Sequence, residues 1–286
     1  WETDMAHHLT EAGHENSRST RRRFERILAV AVIVMLVLGG VLAARHLARV
    51  LPMSLTAGVT QVAGLLAGTP DPTSADSAAS ESDIMSTDEA NRKYSKAAST
   101  VDFNGNGVDD YADIVTGARK DAENHPAYDS DYYQGGYPPA DRGACTDSVW
   151  RAFREAGYDL KAMVDTDIAA DPASYVAVAP KPDSNIDFRR TGVLDVFFAK
   201  YGQTLTTDTA DVAQWQGGDI VVFQHVKHIG VISDKRDKNG TPYVIHNMAQ
   251  KQRENDYFSF KKHMTVTGHY RFDASKVPQS VLKAWQ

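Results

Sequence analysis

The sequence predicts an α+β fold, in which a helix that begins near the cysteine packs on an antiparallel sheet. Residues 146–156 place apolar side chains on one helical face, and Gly157 follows as a stop signal. A second helix is predicted for residues 194–201. Four later segments have the apolar, β-branched and aromatic character of strands: 219–224, 228–234, 242–247 and 264–272. Helices followed by a run of strands are typical of the α+β class.

The Asn239-Gly240 pair predicts how two of these strands are connected. Asn-Gly is a strong signal for a tight hairpin turn, and here it separates the segments 228–234 and 242–247. We therefore expect these segments to pair as adjacent antiparallel strands. His228 and His246 would then lie beside each other on one face of the sheet.

Composition excludes several classes of site and partner. The chain has 286 residues, of which 42% are hydrophobic, and only one is a cysteine, Cys145. A single cysteine excludes an intramolecular disulfide, a cysteine-rich zinc finger and an iron–sulfur cluster. The net charge is −6, and the acidic excess lies after residue 50. We therefore expect no nucleic-acid partner, because phosphate binding needs a basic surface.

The N-terminal region predicts a single membrane anchor. Residues 1–26 form a basic tail, and residues 27–44 contain no charged side chain. As a helix this run would be about 27 Å long, close to the thickness of the hydrocarbon core. Most of the flanking arginines precede it, which predicts a cytoplasmic N-terminus and an extracytoplasmic remainder at the cell membrane. The alternative is a cleaved signal peptide.

The remainder divides into a linker and a globular domain. Residues 45–90 include a stretch of small, acidic and proline residues that cannot form a core, so we expect a flexible extracytoplasmic linker. Aromatic residues and periodic segments then mark one domain over residues 91–286.

Cys145 has the sequence context of a nucleophile. It follows Gly143-Ala144 at the predicted start of a helix, and both a helix N-terminus and a nearby imidazole lower a thiol pKa. His228 and His246 could supply a base and a group that orients it. The alternative is that Cys145 is a small buried apolar residue.

Two longer segments carry a resemblance to a known superfamily. YYQGGYPPADRGACTDSVWRAF resembles the Tyr-x-x-Gly-Gly…Cys segment of NlpC/p60 cysteine peptidases, and WQGGDIVVFQHVKHIGVISD resembles their Trp-x-x-Gly-Asp…His segment. GACTDSVWRAF, NIDFRR, GDIVVF, HIGVISDKR, PYVIHNM and TGHYRF together resemble more closely DUF1287, a family of unknown function in that superfamily. The resemblance covers roughly residues 95–275, and the shared order of the motifs is more specific than any one of them.

The resemblance implies a papain-like fold and a Cys-His-His type triad. Cys145 would be the nucleophile, His228 the general base and His246 the orienting residue. Asn247 is the runner-up for the orienting role and a candidate substrate contact. Tyr132 matches the substrate-side tyrosine. His225 is a competing candidate for the base, although it does not match the family position.

The expected activity is that of a membrane-anchored cysteine amidase or endopeptidase that cleaves peptide amides in peptidoglycan. One departure concerns specificity, because Ala144 and Thr146 stand where many NlpC/p60 peptidases have Asp and Ser, and Gly-Ala-Cys-Thr also resembles the related CHAP pattern. Two alternatives stay open, a non-catalytic domain that binds cell wall or protein and a cysteine transferase. Arg189 and Arg190 either bind a substrate carboxylate or stabilise the fold.

Residues 102–113 have the spacing of an EF-hand-like loop, D-x-N-x-N-G-x-x-D-x-x-D. Calcium coordination would be expected from six positions: Asp102, Asn104, Asn106, Val108 (through its backbone carbonyl), Asp110 and Asp113. Such an ion would be structural, and catalysis itself needs no cofactor. The alternative is an Asn/Gly-rich turn that ends in a helix cap.

Overall fold

The computed structural model describes residues 83–286. The predicted basic tail (1–26), the predicted membrane anchor (27–44) and most of the predicted linker (45–90) therefore lie outside the described residues. None of the helices between residues 83 and 286 combines the length and the apolar character that a membrane span requires.

The last residues assigned to the linker are part of the folded domain. Ile84 forms an antiparallel bridge with Asp237, and Met85 is buried. Helix α1 follows over Thr87–Lys93, and the Ser86 side chain caps it by accepting a hydrogen bond from the N–H of Glu89 at 3.3 Å. The domain therefore begins several residues before position 91.

Five further helices precede or interleave with the sheet. They are α2 (Asp110–Asn124), α3 (Cys145–Glu155), α4 (Leu160–Ala170), α5 (Pro172–Tyr175) and α6 (Thr191–Tyr201). Short 3₁₀ turns lie at Asp187–Arg189, Tyr257–Ser259 and Ala274–Lys276. The two helices expected from the sequence correspond to α3 and α6.

Eight strands form two sheets in the described part of the chain. They are β1 (Ala127–Tyr128), β2 (Arg142–Gly143), β3 (Gly202–Thr204), β4 (Ile220–Phe223), β5 (His228–Arg236), β6 (Pro242–Ile245), β7 (Glu254–Asn255) and β8 (Val266–Phe272). β1 and β2 form a short parallel pair, and the others form an antiparallel sheet in the order β3-β8-β4-β5-β6-β7. The four predicted strands are β4, β5, β6 and β8, so the prediction of helices with an antiparallel sheet is confirmed.

The main sheet is covered on both faces. One face packs against α2, α3 and α6 through residues such as Ile220, Ile229 and Phe272. The other face contributes Val221 and Val244 to a smaller cluster around the buried ring of Trp215. β4 and β6 are buried along their whole length, which explains why their sequences are continuous apolar runs.

Helix α3, which carries Cys145, is fixed by a close crossing with α2. A Cβ atom at Gly117 of α2 would lie 2.5 Å from Cβ of Glu155 and 2.9 Å from the main chain of Ala152. No larger residue fits there without moving one helix, since overpacking displaces the backbone. The absence of a side chain at position 117 therefore sets how closely α3 approaches its neighbour.

Candidate active site

The N-terminus of α3 is held by one buried carboxylate. Asp147 accepts hydrogen bonds from the backbone N–H of Ala144 at 2.7 Å and from the indole N–H of Trp150 at 2.8 Å. The guanidinium of Arg189 donates to both carboxylate oxygens, at 2.8 and 2.9 Å. Both partners of this ion pair are almost completely buried. The first turn of the helix, including Cys145, is therefore rigidly placed.

Cys145 is the first residue of α3 and is 6% exposed. Its sulfur lies 3.9 Å from Oγ1 of Thr191, the first residue of α6. Burial raises the pKa of the thiol, while the backbone N–H groups of Ile229 and Thr146 oppose that shift. The contact with Ile229 is informative, because Ile229 directly follows His228 in β5.

His228 and His246 meet at the end of the β5–β6 hairpin. Nε2 of His228 lies 2.8 Å from Nδ1 of His246, so the two imidazoles are joined by a hydrogen bond. Gly230 makes room for this pair, since a Cβ atom there would lie 3.1 Å from Cβ of His246. The expectation that the hairpin brings both rings together is confirmed.

Burial controls the charge of this pair. Both histidines are at most 3% exposed. Desolvation lowers the pKa of His228 well below its usual value and lowers the pKa of His246 to about 4. The positive charge of Arg253 further depresses the pKa of His246. At neutral pH both rings are therefore uncharged.

The second ring nitrogen of His228 is available for chemistry. Within residues 83–286, Nδ1 of His228 has no hydrogen-bond partner. Nor are the thiol of Cys145 and this nitrogen hydrogen-bonded to each other in the described part of the chain, where the sulfur instead contacts Thr191. Catalytic hydrogen bonds of a free enzyme are often long and tighten when substrate binds.

Asn247 contacts the main chain around the site rather than His228. Its Nδ2 donates to the carbonyl of Gly143 at 2.9 Å and to that of Pro126 at 3.3 Å. Gly143 immediately precedes Ala144 and Cys145. The Asn247 side chain therefore links the segment that follows β6 to the residues that lead into α3. The described contact of Nε2 of His228 is with His246, and between residues 83 and 286 no hydrogen bond joins Asn247 to that ring.

The described contacts of Tyr132 and His225 are with residues other than the histidine pair. Tyr132 is 55% exposed, and its hydroxyl contacts Asp183 at 3.2 Å and Asn185 at 2.6 Å. The ring of His225 is exposed and lies 3.6 Å from Asp195. The substrate-side assignment of Tyr132 stays a prediction, and the described contacts link His225 to α6 rather than to Cys145.

Four residues of the site were not predicted from the sequence. They are Tyr128, Asp147, Thr191 and Asn255. Burial raises the pKa of Tyr128, and the negative charge that Cys145 would carry as a thiolate adds to this shift. Asn255 faces Nε2 of His246 at 3.3 Å. Only Asp147 had a local signal, an acidic residue at the third position of a helix.

Polar groups of the predicted calcium loop, residues 102–113, are hydrogen-bonded to one another. Oδ2 of Asp102 accepts from the N–H of Gly107 at 2.8 Å, and Oδ2 of Asp113 accepts from the amides of Asn104 and Asn106 at 2.8 and 2.9 Å. Asp110 begins α2 and accepts the hydroxyl of Tyr158 at 2.5 Å.

The remaining loop position, Val108, is 41% exposed. Between residues 83 and 286, no three His, Cys, Asp or Glu side chains converge as a metal site. Calcium binding by residues 102–113 stays a prediction.

The buried histidine pair predicts a specific pH dependence of stability. In the unfolded chain both imidazoles bind protons below about pH 6.5, whereas in the folded protein they stay neutral to lower pH. The free energy of unfolding should therefore fall as pH decreases from 6.5 toward 4, by up to about 1.4 kcal/mol per pH unit for each histidine.

Urea unfolding between pH 8 and pH 4.5 measures this dependence. The His228→Gln/His246→Gln double variant should lose stability less steeply below pH 6.5 than the wild-type protein. Above pH 7.5 the two curves should run parallel, which serves as an internal control. Identical slopes below pH 6.5 would exclude the pair as the source of acid sensitivity.

Comparison with known proteins identifies the family. The family model described as "Domain of unknown function (DUF1287)" matches residues 115–272, which include α3, the β5–β6 hairpin and β8. The chain is also 38% identical, over 169 residues, to the protein named "Uncharacterized protein YijF" from Escherichia coli (strain K12). That alignment covers 56% of this chain and 80% of the relative. No solved structure matches. Because this family model matches more than half of its residues, the chain belongs to the DUF1287 family.

Proposed function

We propose that this protein is a cysteine hydrolase with a papain-like, NlpC/p60-type catalytic domain. The observation that carries the proposal is the arrangement at the start of β5. His228 is hydrogen-bonded through Nε2 to His246, keeps Nδ1 without a described partner, and precedes the residue whose N–H contacts the Cys145 sulfur. A nucleophile, a base and a group that orients the base are the components of nucleophilic catalysis.

The proposed reaction begins with proton transfer. Because burial raises the pKa of Cys145 and lowers that of His228, the resting pair is a neutral thiol and a neutral imidazole rather than an ion pair. Nδ1 of His228 accepts the thiol proton as the sulfur attacks the carbonyl carbon of an amide. The imidazolium then returns this proton to the leaving amine, and a thioester forms on Cys145.

Water completes the cycle. His228 accepts a proton from a water molecule that attacks the thioester carbonyl, and the proton passes to the sulfur as the acid product leaves. The oxyanion that forms in both steps would be stabilised by the backbone N–H of Cys145 at the N-terminus of α3.

Peptide amides of peptidoglycan are the proposed substrates. This assignment rests on the resemblance to NlpC/p60 peptidases and on the predicted extracytoplasmic location behind a membrane anchor at residues 27–44. Ala144 supplies no carboxylate beside Cys145, so the amine of a stem peptide would not be recognised in the way that many of those peptidases use. Tyr132 and Asn247 are the proposed substrate-side residues.

A non-catalytic binding domain of the same fold is the second candidate. The elevated thiol pKa and the missing thiol–imidazole hydrogen bond, in the described part of the chain, favour it. Hydrolysis by the wild-type protein but not by a Cys145 variant distinguishes the two functions.

Replacing the sulfur should abolish hydrolysis. Purified wild-type protein, incubated with cell-wall fragments, should release new amino groups that mass spectrometry assigns to one cleaved amide. Cys145→Ala removes the nucleophile and should lower the rate at least about 1,000-fold, since covalent catalysis depends on it. His228→Ala should have a loss of similar size.

His225→Ala is the matched control, because His225 is exposed and was the competing candidate base. This variant should keep wild-type activity. Equal product from wild-type and Cys145→Ala protein would contradict the proposal. Transfer to an added amine, in place of release to water, would identify a transferase that uses the same residues.

Calcium binding by residues 102–113 is a separate proposal with a structural role. Asp102, Asn104 and Asn106 lie in the loop before α2, and Asp110 and Asp113 lie in its first turn. These five side chains would supply oxygen ligands, and the carbonyl of Val108 would complete the set. Added Ca²⁺ should raise the melting temperature by several degrees, because a ligand that binds only the folded state stabilises it. Asp102→Ala should abolish this rise in melting temperature. A wild-type melting temperature that does not change on addition of Ca²⁺ would contradict calcium binding.

A further inference from the structure

The hydrogen bonds around the histidine pair continue to a fourth residue. We propose that Asn255 is a positioning residue, which fixes the tautomers of His246 and His228 so that Nδ1 of His228 presents a lone pair to Cys145. This inference rests on the proposed function, since a lone pair at that nitrogen is what a general base requires.

The orientation of the Asn255 amide is determined by its own contacts. Asn255 is 5% exposed, and its Nδ2 donates to the carbonyl of Gln252 at 2.7 Å. Its Oδ1 therefore faces Nε2 of His246, at 3.3 Å. An amide oxygen can only accept a hydrogen bond, so Nε2 of His246 carries the hydrogen.

The tautomer of His246 then determines that of His228. A neutral imidazole has one N–H, and His246 stays neutral because it is buried beside the positive charge of Arg253. Its Nδ1 is consequently an acceptor, and the N–H of the 2.8 Å bond must belong to Nε2 of His228. His228 is neutral as well, which leaves its Nδ1 without a hydrogen.

Strand β7 keeps Asn255 in this position. Asn255 pairs with Val244 of β6, and the backbone N–H of His246 donates to the carbonyl of Arg253 at 2.9 Å. The adjacent residue, Glu254, receives ion pairs from Arg119 of α2 at 2.7 Å and from Lys235 of β5 at 2.8 Å. Helix α2 and strand β5 thus both hold β7, a strand of only two residues.

The opposite arrangement would disable the base. If a donor replaced Oδ1 at position 255, Nε2 of His246 would become the acceptor and its Nδ1 would carry the hydrogen. Nε2 of His228 would then accept, and its Nδ1 would carry a hydrogen that blocks uptake of the thiol proton. A wrong tautomer of a catalytic histidine costs orders of magnitude in rate even when the geometry is intact.

The ¹⁵N chemical shifts of the imidazole nitrogens test this directly. Histidine-labelled full-length protein is compared with Asn255→Leu, Asn255→Asp and the assignment variants His228→Gln and His246→Gln at pH 7.5. The wild-type spectrum should show both rings with the hydrogen on Nε2. Asn255→Asp keeps an acceptor and should retain this pattern, whereas Asn255→Leu should give a mixture of tautomers.

A wild-type spectrum with hydrogen on Nδ1 of either ring would overturn the proposal without any variant, and so would unchanged tautomers in folded Asn255→Leu. In the hydrolysis assay, Asn255→Leu should lower kcat by about 10- to 100-fold with little change in KM, and Asn255→Asp should restore most of it. Because the spectra need no substrate, correct tautomers in a protein that hydrolyses nothing would refute the proposed function alone.

Discussion

The buried ion pair between Asp147 and Arg189 is the constraint on which the site depends. Two buried charges are stable only when each is fully hydrogen-bonded. The Asp147 carboxylate accepts hydrogen bonds from the N–H of Ala144, from the indole N–H of Trp150 and from two nitrogens of the Arg189 guanidinium. Gly143 permits this, because a Cβ atom there would lie 2.8 Å from Cβ of Asp147. Removing either charge would leave the other buried and unpaired, and the first turn of α3 would lose its position.

A second rigid element faces the helix terminus. The β5–β6 hairpin and the short strand β7 place His228, His246 and Asn255 in one chain of hydrogen bonds, with Gly230 providing the space. Burial keeps both imidazoles neutral, so each ring carries one N–H. In the proposed arrangement the hydrogen bonds are donated in one direction, from His228 to His246 and from His246 to Asn255. The proposed nucleophile and the proposed base thus lie on separate parts of the fold, and each is held by buried hydrogen bonds.

The sequence predicts those parts of the site that local patterns encode. The hairpin turn at Asn239-Gly240 and the apolar runs of β5 and β6 predict that the two histidines lie side by side, and a helix pattern predicts the position of Cys145 at a helix start. Arg189 pairs with an aspartate 42 residues away, and Asn255 lies on a strand of two residues, so no local period marks either. The contacts of Arg189 and Asn255 depend on residues that are distant in sequence and on burial, and both are known only once the chain has folded.

The central claim is that His228 activates Cys145. Since Cys145 is the chain's only cysteine, its alkylation by iodoacetamide can be followed on the intact protein by mass spectrometry. We expect a wild-type rate at pH 7 that exceeds that of His228→Ala at least about 10-fold, because general-base assistance generates the attacking thiolate. Equal rates for the two proteins at every pH would contradict the account, since the thiol would then react without help from the imidazole.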